Sequence, residues 1–222
     1  MPSNKLDYEK IVKAKWKENA KQVSQLLKDG DENTLAQVKT YSDRFDEPVE
    51  KVKGKILDDS LFANCFAKDP VRQTSHEKIA YEYLNKHIKI LNNFCKLPQS
   101  GKNAVYLTDN GMFLKYFITN KRIGKALDFH WKTKDKMFYA SHKYTKDSGG
   151  AQDNQFNEQA ALLRKFKENS VHNEYLFIIC DGKYYTENKI KHLKELTSDR
   201  SFVVRIEEVV SVVEKIISKG KK

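Results

Sequence analysis

Asp128, Ser141-His142-Lys143 and Glu158 are the residues of this chain whose types and spacing best fit a chemical task. An acid, a lysine and a second acid brought to one sheet edge can hold Mg²⁺ against a phosphodiester and set a water beside it. Carboxylates supply the hard oxygen ligands that Mg²⁺ prefers. The ion polarises the phosphate and lowers the pKa of its bound water. An adjacent ammonium orients that water and stabilises charge developing on phosphorus. The chemistry indicated is hydrolysis of DNA.

These side chains need elements to position them. Residues 125–131 are strand-like, 132–136 form a polar turn, and 137–144 are a second β-prone run, so the pattern predicts a hairpin. Side chains alternate along a strand, which puts Ser141 and Lys143 on one face and His142 on the other. The hairpin can carry Asp128 to the face of Lys143. Next, Asp147-Ser148-Gly149-Gly150 is a turn signal within 145–155, and an apolar-periodic stretch through Phe156, Ala160, Leu163 and Phe166 predicts a helix. Glu158 falls in the first turns of that helix and can lean back toward the strands.

With these residues the hairpin and helix resemble the active site of type II restriction endonucleases of the PD-(D/E)xK nuclease superfamily. In the usual pattern an Asp on one strand is followed by Asp/Glu-x-Lys on the next. Here Ser141 stands at the first tripeptide position, and Ser141-His142-Lys143 with Glu158 resembles the variant in which the following helix supplies the missing carboxylate. Leu127 replaces the usual Pro before Asp128. The run Lys143 to Gln155 also looks like the segment after the catalytic Lys in several restriction enzymes, and the resemblance is most specific over about residues 72–182. It implies a Mg²⁺ cofactor held by Asp128, Glu158 and the His142 backbone carbonyl, with Lys143 acting on the attacking water. It further implies products with 5′-phosphate and 3′-hydroxyl ends, a palindromic double-stranded target cut by a homodimer, and a cognate DNA methyltransferase acting on the same site.

Each residue also has an ordinary structural role open to it. Asp128 suits a strand-end turn, Lys143 a solvated edge strand, and Glu158 a helix N-terminus where the dipole favours an acid. Their ordered spacing, with Gly149-Gly150 between the last two, favours the chemical reading. Glu77 is a more distant candidate. In the helix expected over 75–91 it shares a face with Ala80, Leu84, Ile88 and Leu91, and a carboxylate on an apolar face is costly without a partner. The resembled superfamily often has a helical Glu near its metal, so Glu77 is a supporting candidate; an exposed first turn near a Ser75 cap is the equal alternative. The six histidines show no zinc-ligand spacing, and His142-Lys143 lacks the His-x-Lys spacing of the phospholipase D-like nucleases.

Gln152, Asn154 and Gln155 carry amides suited to pairing with adenine in a major groove, and Lys146 is placed to meet phosphate. A formal net charge of +11 and a pI near 9.3 favour a polyanionic partner and predict strong salt dependence of binding. Two other classes stay open: a repair or recombination nuclease acting on damaged or branched DNA, and a basic DNA-binding protein without catalysis. The three cysteines are too few and too far apart for a disulfide framework. No apolar run reaches the length of a membrane span and residues 1–5 lack a signal-peptide core, so the expected location is cytoplasmic.

Around the hairpin, helical periodicity covers 8–27 and 33–41, and 45–73 reads as a connecting region punctuated by Pro48, Gly54 and Pro70. Strands are expected at 104–107, 112–118, 175–180 and 202–206, helices at 187–196 and 208–217, and a frayed tail at 219–222. This order predicts an α/β fold, a central mixed β-sheet flanked by helices, with residues 1–70 as a helical region packed on a 71–222 core in one integrated domain.

Overall fold

The computed structural model describes residues 6–69, 75–88, 92–115, 122–133, 135–147, 149–169 and 171–219. Pro70, Leu91, positions 116–118 of the expected return strand, Ser148 of the turn signal and tail residues 220–222 lie outside them. The chain divides into two compact units, Asp7–His76 and Glu77–Lys222, the latter together with Met1–Leu6.

The first unit is helical: α1 (Tyr8–Lys28), α2 (Glu32–Phe45), α3 (Val49–Asp58) and α4 (Ser60–Ala63). Asp7, Asp31 and Asp59 each accept a backbone N–H at the start of the helix that follows, as N-caps do. Its core gathers Ala20, Val23, Leu27, Val38, Val52, Ile56 and Ala63. The expected connecting region is therefore partly helix. Pro48 sits at the N-cap of α3, where its lack of an N–H costs nothing, and Val52 and Ile56 bury one stripe of α3 in spite of Gly54.

The second unit begins in α5 (Ser75–His87) and is mixed α/β. A five-stranded sheet runs in the order β1 (Asn92–Lys96), β5 (Phe129–Lys132), β6 (Met137–Tyr144), β7 (Glu174–Asp181), β8 (Ser201–Val204). The pairs β1/β5 and β5/β6 are antiparallel, and β6/β7 and β7/β8 are parallel, so the sheet is mixed as expected. A separate three-stranded sheet holds β2 (Val105–Thr108) between β3 (Phe113–Lys115) and β4 (Arg122–Ile123). Helices α6 (Gly150–Phe166), α7 (Glu187–Glu195) and α8 (Val209–Lys219) complete the unit. Among the described residues no helix is long and apolar enough to cross a membrane.

The alternation of β7 explains both faces of the large sheet. Leu176, Ile178 and Cys180 join Ala160, Leu162, Leu163 and Phe166 of α6 in the main core. The alternate positions carry an aromatic band across the sheet: Phe94 meets Phe129 and Trp131, Trp131 stacks on Phe138, and Phe177 lies between Phe138 and Phe202. Burying rings of this size on one face and aliphatic side chains on the other fixes the register of β6 against its neighbours, because a one-residue slip would exchange the two sets between differently packed cores.

Candidate active site

The predicted hairpin forms as β5 and β6, but its first strand starts late. Positions 124–128 cross from the small sheet to the large one. Gly124 adopts φ +70°, in the left-handed region, and an added Cβ there would sit 2.9 Å from Glu158 Cγ. The Lys125 N–H donates to Glu158 Oε1 at 2.5 Å. The Leu127 N–H donates to Val105 O at 2.8 Å, and the next residue, Asp128, donates to Ala140 O at 2.8 Å while its own carbonyl accepts from Leu97 N. Phe129 is already the register partner of Ala140, so two successive residues oppose one. This bulge aims the Asp128 carboxylate into β6.

Asp128 is 0% exposed. Its Oδ2 accepts the His142 backbone N–H at 2.7 Å, its Oδ1 accepts Gln99 Nε2 at 2.9 Å, and Lys143 Nζ stands 4.0 Å from Oδ2. Burial pushes its carboxyl up from the ordinary value; Lys143 and the His142 N–H pull it down, and the Glu77 carboxylate pushes it up again. Glu77, in the first turn of α5, is thus the second acid whose charge reaches Asp128. Its side chain is 22% exposed, and Lys96 Nζ of β1 lies 3.1 Å from its Oε2, an oxygen that is buried and accepts no hydrogen bond. The two readings of Glu77 meet here: it is in the first turn, and it is drawn inward beside a lysine.

Structure and motif therefore overlap in Asp128, His142 and Lys143, with Glu77 joining them. Ser141 is buried opposite Ile178 of β7. The described contacts do not link Glu158 to Asp128; its carboxylate holds the Lys125 N–H. The His142 ring turns away to Asp181, with Nε2 at 3.3 Å from Oδ2, and Asp181 Oδ1 accepts the Ile206 N–H. Among the described residues no group of three or more His, Cys, Asp or Glu side chains is arranged to hold a metal ion.

The amides proposed for DNA contact sit at the start of α6. Asn154 is exposed, Gln155 is half-buried and its Oε1 accepts Thr145 Oγ1 at 3.3 Å, and the Gln152 side chain folds back over Gly149. Lys146 is exposed. Asp153 between them is engaged by Tyr184 Oη at 2.6 Å and by Lys189 at 3.5 Å, which ties α6 to the start of α7.

Sequence reasoning did not single out Gln99 or Lys96. The signal for Gln99 was weak: it lies in a Pro-Gln-Ser-Gly turn whose composition speaks only of chain reversal. Lys96 ends β1, a polar five-residue strand without alternation. Comparison of the chain with family models, with curated proteins and with solved structures gave no match.

Proposed function

We propose that the chain is a Mg²⁺-dependent deoxyribonuclease of the PD-(D/E)xK kind, cutting both strands of a specific duplex sequence as type II restriction endonucleases do. The observation that carries this reading is a fully buried Asp128 carboxylate, held by the β6 backbone, with the Lys143 ammonium at 4.0 Å and a second acid, Glu77, in electrostatic reach. A fully buried acid with a lysine and a second, partly buried acid beside it is expensive for a fold and is what phosphodiester hydrolysis needs.

The donor set fits Mg²⁺ in kind. Asp128, Glu77 and the His142 carbonyl all offer oxygen, and the buried Glu77 Oε2 has an ion-pair partner in Lys96 but no hydrogen bond. When bound, the ion supplies Lewis acidity toward the phosphate and a more acidic water. Lys143 orients the attacking water and offsets charge on the phosphorane, while the 2.7 Å bond from His142 N fixes the Asp128 carboxylate so that no reorganisation is needed as charge develops. Glu158 serves a positioning role, holding the 124–125 corner from which Asp128 is launched. Lys146, Gln152, Asn154 and Gln155 are the groups at the α6 start suited to phosphates and bases. A homodimer would present two such sites to a palindrome.

The test is digestion of a long unmethylated DNA with Mg²⁺ by the wild type, Asp128→Ala and Lys143→Ala, followed by sequencing of fragment ends. Discrete fragments that share one end sequence, and that both variants fail to produce, are expected. Undirected binding with no cleavage of linear, damaged or branched DNA would refute the reading.

A further inference from the structure

Two donors outside the hairpin motif already occupy its acids. Gln99 Nε2 donates to Asp128 Oδ1 at 2.9 Å, and Lys96 Nζ lies 3.1 Å from Glu77 Oε2. Both come from the end of β1 and the turn that follows it. Their settings differ from those of the acids they meet. Gln99 is exposed and the Lys96 side chain is 31% exposed, whereas Asp128 is fully covered.

The two Asp128 oxygens are held unequally. Oδ2 is fixed by a main-chain N–H inside β6, which cannot leave without breaking the sheet. Oδ1 is held by a side-chain amide on a surface turn, which leaves by rotation about its own side-chain bonds. An amide N–H and an ammonium both place positively polarised hydrogens on a carboxylate oxygen, and a cation neutralises the same oxygen by the same electrostatics. A carboxylate buried with neither is costly. Any ligand that is to reach Asp128 Oδ1 must first displace Gln99, and any ligand for Glu77 Oε2 competes with Lys96.

We propose that Gln99 and Lys96 are exchangeable partners: they hold Asp128 and Glu77 in the ion-free protein, yield to a divalent cation, and leave the Lys96 ammonium to a substrate phosphate. The inference rests on the nuclease reading for its cation. It makes occupation of the site by ion and by DNA interdependent, since the lysine released by one is the ligand of the other.

Titration calorimetry with Mn²⁺ alone, without DNA, separates this from a purely structural role. Gln99→Leu, which loses a hydrogen bond to a carboxylate, and Lys96→Met, which loses an ion pair, each bind Mn²⁺ about tenfold more tightly than wild type, and Asp128→Ala loses binding. Gln99→Asn keeps the amide but shortens its arm, and Lys96→Gln keeps the length but removes the charge; both tighten binding without adding apolar surface. In duplex binding measured against salt, Lys96→Met also lowers the slope by about one phosphate contact. Unchanged or weaker Mn²⁺ affinity in all four folded variants, with binding still abolished by Asp128→Ala, overturns the exchange and leaves the nuclease site standing. Absence of Mn²⁺ binding by the wild type, or binding that survives Asp128→Ala, overturns the metal site itself.

Discussion

Removal of the Lys143 ammonium shows whether Asp128 is held as a charged carboxylate in the folded protein. The two groups are 4.0 Å apart, with side-chain exposures of 14% and 0%. Unit charges at that separation attract by about 4 kcal/mol at an effective dielectric constant near 20. Part of this is returned when Lys143→Met no longer has to desolvate an ammonium. The net destabilisation expected at about pH 8 is ~2–4 kcal/mol, close to the range for stranding one member of a buried pair.

The pH dependence has a definite sign. Burial raises the Asp128 carboxyl above its ordinary 3.8 in the folded protein, even against the pull of Lys143 and the His142 N–H. A group raised on folding contributes its stability below the unfolded value and loses it as pH rises through the folded one. Without Lys143 the carboxyl rises further, so the cost of the substitution is large in alkali and shrinks toward acid, where Asp128 takes up a proton. Urea denaturation at about pH 8 and about pH 5 measures both, and Asp128→Asn combined with Lys143→Met isolates the pair term. A cost under about 1 kcal/mol at the higher pH refutes the coupling.

Asp128→Asn removes the titration, so its melting temperature relative to wild type rises as pH climbs from 3.8 to the raised folded value and levels off beyond it; thermal melts followed from about pH 4 upward check this, and a gap constant over the whole series would place the titrating group elsewhere. Glu158→Ala removes the side-chain acceptor of the exposed Lys125 N–H, costs about 0.5–1.5 kcal/mol in urea denaturation, and leaves Mn²⁺ affinity unchanged if its work is at the 124–125 corner; a lost affinity would return Glu158 to the ion. Arg200→Met leaves the Asn169 and Val171 carbonyls, both acceptors of its guanidinium, without that donor beside the buried Glu174, and lowers stability by about 2–4 kcal/mol by the same measurement.

The large elements were legible because burial enforces periodicity. The α6 stripe, the β6 run and the β7 strand, buried at every position but Tyr175, are each dictated by which side chains the sheet must cover, and the observed strands at Met137–Tyr144 and Glu174–Asp181 lie within a residue of expectation. Illegible parts have a common cause: their geometry is set by partners distant in sequence. Positions 125–128 have the composition of a strand, yet Glu158 takes the Lys125 N–H and Val105 takes that of Leu127, so the ladder begins only at Phe129. The β1 strand gains its order from pairing with β5, which its own polar residues do not announce. Helix α3 was concealed by Gly54, since a glycine costs a helix only about 1 kcal/mol and two buried apolar residues outweigh it. Within the site, motif spacing pointed to Asp128 and Lys143, which one hairpin brings together; the contribution of Glu77 depends on α5 docking beside β1, a relation no local pattern encodes.

The setting of Asp128 also explains how its geometry is maintained. The carboxylate has three polar neighbours of different origin: a main-chain N–H from within β6, a side-chain ammonium from the next residue of the same strand, and an amide from the turn after β1. A one-residue slip of β6 would carry the first two away together and would also turn Phe138 off the aromatic face that packs Trp131. The apolar packing that stabilises the sheet is therefore the same constraint that aligns the charged groups. A well-packed aliphatic residue at position 128 would remove the desolvation cost and keep the register, which is why the stability assigned to Asp128 is predicted to run against pH rather than with it. The acid is tolerated because β6 supplies its partners from backbone and side chain at once, and the rigidity needed to bear a buried charge is the same rigidity that would hold it ready for a phosphodiester.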